Sequence, residues 1–338
     1  MKTRFTLLNI VIFFFLFCSV HGQKKNLYSV IFEAEGTCNI KIETDLKHLM
    51  RKSSKEQYQE ANITIIDNAF QELVVLPTKI RARGNMRKKQ CKFPPIKIDF
   101  KKRDLDSLGF EKEIDKLKMV FPCRGGKDNQ EKLYKEYLLY DIYKIIDPRG
   151  MNAKLANITF IEENGKEIQF VGMFVEEEKA YSKRTNAIIV EFGKLRVASL
   201  DRDLFLKMSF FQYMIANTDY SISNYHNLEM VKYPDNPRVV ALPYDFDYSG
   251  FVGHHYAVPH ESLPIKEVHE RYFFRHSVKE EEFDEMVGFY LSIENEVNTL
   301  IDSATYLSEK SRIRSKAYLE SFFNIMRMPK FFKRSTVR

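Results

Sequence analysis

The sequence has no tryptophan in 338 residues, and only 13 glycines and 11 prolines. So few Gly and Pro exclude a collagen-like chain, and 44% hydrophobic with 29% charged residues excludes a wholly disordered one. The absent Trp beside 28 Phe and 18 Tyr reflects a compositional bias and points to no mechanism. Cysteine is scarce as well. Cys18, Cys38, Cys91 and Cys123 form neither Cys-x-x-Cys nor a Cys/His zinc spacing. Neither Gly-x-Ser-x-Gly nor His-Glu-x-x-His occurs, which removes the usual serine esterase and zincin chemistries. Gly125-Gly126-Lys127 lacks both the first Gly of a P-loop and the Ser/Thr that follows its Lys. Charge is nearly balanced at a net +7.

One long apolar run is present, at the start. Lys2 and Arg4 precede the stretch Phe5 to Cys18, and Val20-His21-Gly22 precede a cut at Gln23, so residues 1–22 read as a secretory signal peptide. A run of about 14 residues is short for a membrane span. Phe17 is too bulky for a lipid-attachment motif at Cys18. The expectation is an exported protein, periplasmic, cell-surface or secreted, with no transmembrane span after cleavage. Three cysteines then remain, of which two can pair in an oxidising compartment. Cys91 and Cys123 sit beside Pro-bearing strand edges and are the expected pair; Cys38, in an apolar-alternating stretch, is the expected buried thiol.

Period-two alternation predicts strands over 27–34, 38–43, 63–67, 73–83, 95–100 and 116–121. A helix is predicted over 131–146, opened by a capping box of Asp128 and Glu131 and stopped by Asp147-Pro148. Strands follow over 156–161, 168–175 and 187–192, then a helix from Ser199 and a strand pair over 227–232 and 238–242. Helices dominate afterwards, one opened by a box of Ser277 and Glu280. The expected class is α+β with a sheet-rich N-lobe (23–178), a helix-rich C-lobe (179–338) and a cleft between them, the bilobal layout of protein kinases.

Two stretches carry the chemistry. Asp219 is followed by the amides Asn224 and Asn227, then by the strand pair, then by Asp245-Phe246-Asp247. A hairpin would bring its two ends together. Hard ions such as Mg²⁺ take oxygen ligands of this kind, and kinases order an Asp, an Asn and a second Asp in this way. The plainer alternative is a helix-end Asp219 and an ordinary strand-exit turn at Asp245-Phe246-Asp247.

With Arg81-Ala82-Arg83-Gly84-Asn85, Lys92 to Phe100, Leu117-Lys118-Met119-Val120 and Gly172 to Glu178, these stretches resemble the spore-coat CotH kinase family, in particular a divergent group in exported bacterial proteins. The resemblance spans about residues 38–274 and implies an atypical kinase-like fold that uses ATP with Mg²⁺ or Mn²⁺. It implies Asp219 as the catalytic Asp, Asn227 and Asp245 on the metal, and Lys97 on the phosphates with Glu136 as its partner. Arg83 and Lys118 join them on the cofactor side. Tyr244 stands where the family commonly has Trp, and Asn224 fits the usual kinase spacing better than Asn227, so both amides stay open. The implied activity is phosphoryl transfer from ATP to a secreted or surface protein acceptor. Two alternatives remain: a non-catalytic kinase-shaped protein that binds an anionic polymer, and nucleotidyl transfer at the same acids.

Residues 79–103 hold eleven basic side chains against one acid, Asp99, a local balance of +10 that attracts polyanions. Arg87, Lys88 and Lys89 are expected to be solvated there. Nucleic acid is a poor fit for an exported chain without a nucleic-acid module. His254, His255, His260, His269 and His276 cluster in sequence, but their spacing matches no helical zinc motif.

Overall fold

The computed structural model describes residues 26–51, 57–66, 72–191, 193, 195–274 and 277–336. The expected leader lies outside these residues, as does His276. Among the described residues no helix is long and apolar enough to cross a membrane.

The first ordered element corrects a predicted strand. Leu27–Phe32 is a helix, α1, because Asn26 caps it by accepting from the Ser29 amide at 2.7 Å. Leu27, Val30 and Ile31 then fall at helical spacing on one buried face. Strand β1 (Cys38–Glu43), helix α2 (Leu46–Met50) and strands β2 (Gln59–Ile66) and β3 (Glu72–Ala82) follow. Next come α3 (Met86–Gln90), β4 (Ile96–Phe100), α4 (Lys102–Ser107), β5 (Lys116–Val120), α5 (Lys127–Ile146), β6 (Ala153–Ile161) and β7 (Glu167–Val175).

The structure is mixed α and β as expected, and the N-terminal sheet is closed. The strands close into a barrel in the order β1-β2-β3-β4-β5-β7-β6. Six neighbouring pairs are antiparallel, and β1 closes the ring on β6 in parallel, with Ile40 opposite Ile158. Closure leaves no strand edge bare. Alternation fills the interior: Ile96, Ile98 and Phe100 point inward on β4, while Lys97 and Asp99 face out.

A second core lies outside the barrel. It is built from α6 (Glu178–Thr185), β8 (Ile188–Ile189), α7 (Arg202–Met214), β9 (Leu228–Lys232), β10 (Val239–Pro243), α8 (Glu280–Ser303), α9 (Glu309–Arg327) and α10 (Lys330–Thr336). Strands β10, β9 and β8 make a small antiparallel sheet. Helix α5 interrupts the barrel in chain order, yet Leu133, Leu138, Leu139 and Ile142 pack into this second core. It starts four residues earlier than predicted, because Gly126 at φ +98° turns the chain into it. Glu131 does not close a capping box; it accepts from the Ser308 amide at 3.1 Å. The box predicted at Ser277 forms two residues later, with the Lys279 amide donating to Glu282. Of the predicted strand 187–192, the described residues form only the two-residue β8, and Phe192 lies outside them.

The disulfide joins Cys91 to Cys123, and Cys38 is a buried free thiol, as the sequence led one to expect.

Candidate functional site

An open cleft of about 790 Å³ separates the outer face of β3–β5 from the second core. Arg83, Lys97, Lys118, Glu136, Asp219, Asn224, Asn227 and Asp245 all line it. Residues up to 162 positions apart in sequence therefore share one cavity.

The barrel wall is cationic by strand register. Arg81 lies opposite Lys97 on β4, and Lys97 opposite Lys118 on β5, so three cations form one rung across three strands. Like charges placed opposite each other oppose pairing. Glu177, buried at the entry to α6, offsets them: its carboxylate is 3.8 Å from the Lys97 ammonium and 3.6 Å from that of Lys118, which also donates to Glu178 at 2.9 Å. The Arg83 guanidinium has no hydrogen bond or ion pair among the described residues.

The opposite wall is acidic and built from loops. After α7, Ala216 takes φ +51° and the chain leaves the helix. Buried Asn217 then accepts from the Asp219 amide at 3.0 Å while donating to Gln212. Asp219 is held further by Asn227, whose Nδ2 donates to its carbonyl at 2.7 Å and to Oδ2 at 3.0 Å. His226 Nε2 meets Oδ1 at 3.0 Å. Burial raises the Asp219 carboxyl above its ordinary value, and His226 partly offsets this.

The hairpin brings its two ends together. Leu228 pairs with Pro243, and the Tyr244 amide donates to the Asn227 carbonyl at 3.1 Å. Asn227 and Asp245 both occupy the left-handed region, at φ +52° and +59°. Non-glycine residues adopt it at a cost, which concentrates at functional sites. Tyr140 of α5 accepts from the Asp245 amide at 3.1 Å, but the Asp245 carboxylate takes no hydrogen bond or ion pair among the described residues. Burial and the neighbouring Asp247 push its pKa well above the usual carboxylate range.

Of the two amides, Asn227 is buried against Asp219, whereas Asn224 is exposed and accepts from Ser223. Glu136 does not pair with Lys97. It is 1% exposed and accepts from the Arg87 guanidinium at 2.5 Å, while Arg87 Nε donates to Asp247 at 2.8 Å. Burial raises Glu136 against the pull of Arg87. Arg87 is thus buried rather than solvated, a reversal that follows from two acids meeting it from distant elements.

The eleven-cation patch is also dispersed. Lys79 pairs with Glu60, Lys102 with Glu113 and Arg103 with Asp104. Sequence reasoning passed over His226, although its place beside Asn227 was a usable signal. Among the described residues no three His, Cys, Asp or Glu side chains converge as a metal cage. The cleft offers instead the unpartnered Asp245 carboxylate, with Asn227 and Asp219 lining the same cavity. That oxygen set suits Mg²⁺, which keeps several waters and takes one or two carboxylates together with substrate phosphates.

No protein-family profile and no curated protein matches the chain. Among solved structures it is similar to the crystal structure of a Helicobacter pylori proinflammatory kinase, CtkA, with a TM-score of 0.38 and 11% identity. The match covers 61% of this chain and 86% of that one. At that score the reading of the cleft depends on its own geometry.

Proposed function

We propose that the chain is an exported CotH-like protein of bilobal, kinase-like architecture that binds ATP with Mg²⁺ or Mn²⁺ and transfers its terminal phosphoryl group to a hydroxyl of a secreted or surface protein. One observation carries this reading: a rung of cations on the barrel wall shares a cleft with an unpartnered carboxylate on the opposite wall. A ligand that satisfies both must be anionic and accompanied by a cation. Nucleotide phosphates with a divalent ion meet that description.

In this reading Lys97, Lys118 and Arg83 contact the phosphates, and Asp245 with Asn227 holds the metal. The ion would neutralise charge on the phosphates. Asp219, fixed by Asn227 and His226, orients the acceptor hydroxyl and receives its proton as the new oxygen–phosphorus bond forms and the bond to the departing ADP oxygen breaks. Positioning and charge neutralisation do most of the work. Glu136 has a different part, bracing α5 through Arg87. The Cys91–Cys123 bond supports an oxidising compartment, consistent with export.

Thermal denaturation with ATP alone, Mn²⁺ alone and both tests the site. The expected result is stabilisation only with both, about 2.7 kcal/mol at a hundredfold excess over Kd. No shift with both, alongside a shift with an anionic polymer, supports the non-catalytic alternative instead.

A further inference from the structure

Helix α3 has five residues, no side-chain cap at Asn85, and one buried residue, Arg87. Its guanidinium crosses from the barrel to two elements of the second core. It reaches Glu136 on α5 and Asp247 in the turn after β10, and the Tyr256 hydroxyl donates to the same Asp247 oxygen at 2.8 Å. Between the two acids of that turn, Phe246 is fully buried, packed on Tyr140 of α5 and Phe211 of α7. Arg87 therefore grips the acid turn at Asp247 and grips α5 one helical turn before Tyr140, which anchors the Asp245 amide.

So short a helix does not hold itself. The Cys91 amide donates to the Arg87 carbonyl at 2.9 Å, and Cys91 is bonded to Cys123 beyond the end of β5. The Lys92 amide also donates to the Cys123 carbonyl. The disulfide packs on Tyr256, the residue that shares Asp247 with Arg87. These contacts form a closed ring: disulfide, α3, Arg87, Asp247, Tyr256, disulfide.

We propose that Arg87 is the positioning residue of the acid turn: clamped by Cys91–Cys123, it fixes the direction in which Asp245 presents its carboxylate to the cleft. This deepens the functional reading above and rests on it for the metal-binding readout alone. The fork of a guanidinium can satisfy two carboxylates at set angles, which a lysine ammonium cannot reproduce. The same arrangement leaves Lys97 free of Glu136 and available to the cleft.

The test uses Arg87→Lys, the neutral pair Arg87→Gln/Glu136→Gln, and Cys91→Ser/Cys123→Ser, each checked for folding by circular dichroism. Amide hydrogen exchange is read without ligand, and Mn²⁺ is titrated in the presence of ATP. Exchange across residues 244–249 should rise about tenfold or more in the Arg87 variants, and less in the cysteine variant, with α8 and α9 unchanged. Half-saturating Mn²⁺ should rise about tenfold, with nucleotide binding recovered at saturating Mn²⁺, the usual scale for a residue that supports a metal ligand. Unchanged exchange at 244–249 in a folded Arg87 variant overturns the proposal, and so does equal acceleration in α8 and α9, the mark of general destabilisation. If Arg87→Lys does not fold, the neutral pair decides. If the unmodified protein binds no nucleotide, the functional reading fails, and the exchange measurement still decides the role of Arg87.

Discussion

The two walls of the cleft are made by different means. The barrel wall holds Arg81, Lys97 and Lys118 by strand register, so backbone hydrogen bonds fix their spacing. The opposite wall holds Asp219, Asn227 and Asp245 on segments between elements, positioned by side-chain hydrogen bonds and left-handed backbone. A wall built by register tolerates loss of one side chain without moving the rest. A wall built by side chains does not, and its residues act as a unit.

Asp245→Ala breaks that contrast most directly. It should abolish metal-dependent nucleotide binding, read by calorimetry, while stability stays level or rises as the repulsion from Asp247 is relieved. Retained Mn²⁺-dependent binding in this variant removes Asp245 from the site.

Asp219→Asn should keep metal and nucleotide affinity and cut turnover about a hundredfold or more, the scale of a lost general base. Transfer at the unmodified rate would assign the proton to another group.

Lys118→Met sharpens the comparison from the barrel side. It removes one cation from the rung and leaves buried Glu177, whose Oε1 has no hydrogen bond, with the Lys97 ammonium at 3.8 Å as its remaining ion-pair partner among the described residues. A stability loss of about 1–3 kcal/mol is expected in urea denaturation, with weaker ATP binding and an intact barrel. Unchanged stability would mean that Lys97 alone suffices to offset Glu177.

A pH effect should come from His254, which is 4% exposed and stacked on Tyr256 with neither ring nitrogen hydrogen-bonded. Burial, aided by Arg87 and Lys132, lowers its pKa from 6.5 to about 2. Between those values the unfolded chain binds the proton and the folded chain does not. This residue's contribution is complete above pH 6.5 and is lost as pH falls, by up to about 1.4 kcal/mol per pH unit. His254→Phe should flatten that limb of the stability profile; an unaltered acid limb would place the effect elsewhere.

Much of this was legible in the chain. The alternation of residues 96–100 set Lys97 outward, and the order Asp219, Asn227, hairpin, Asp245 placed three site candidates in one cavity. The cysteine pairing followed from strand edges. What stayed hidden was non-local. Arg87 sits in the run Met86-Arg87-Lys88-Lys89, where nothing local separates a buried cation from two solvated ones; its partners are 49 and 160 residues away. Residues 27–34 read as a strand because the run Tyr28, Val30, Ile31 and Phe32 is β-branched and aromatic; Leu27, Val30 and Ile31 nevertheless sit at helical spacing, and the Asn26 cap decides it.

The parallel seam between β1 and β6 has a consequence for how the chain is made. A polypeptide delivered from its N-terminus presents residues 38–43 early, yet their partners at 156–161 arrive more than a hundred residues later. Through that interval β1 can pair with β2 on one side only, and its other edge stands open to any strand nearby, including one from a neighbouring copy. Completion of the ring is a late event by topology, and loop-closure entropy makes it slow. A yield that depends on how crowded the emerging chains are is built into the seam that makes the finished barrel edgeless.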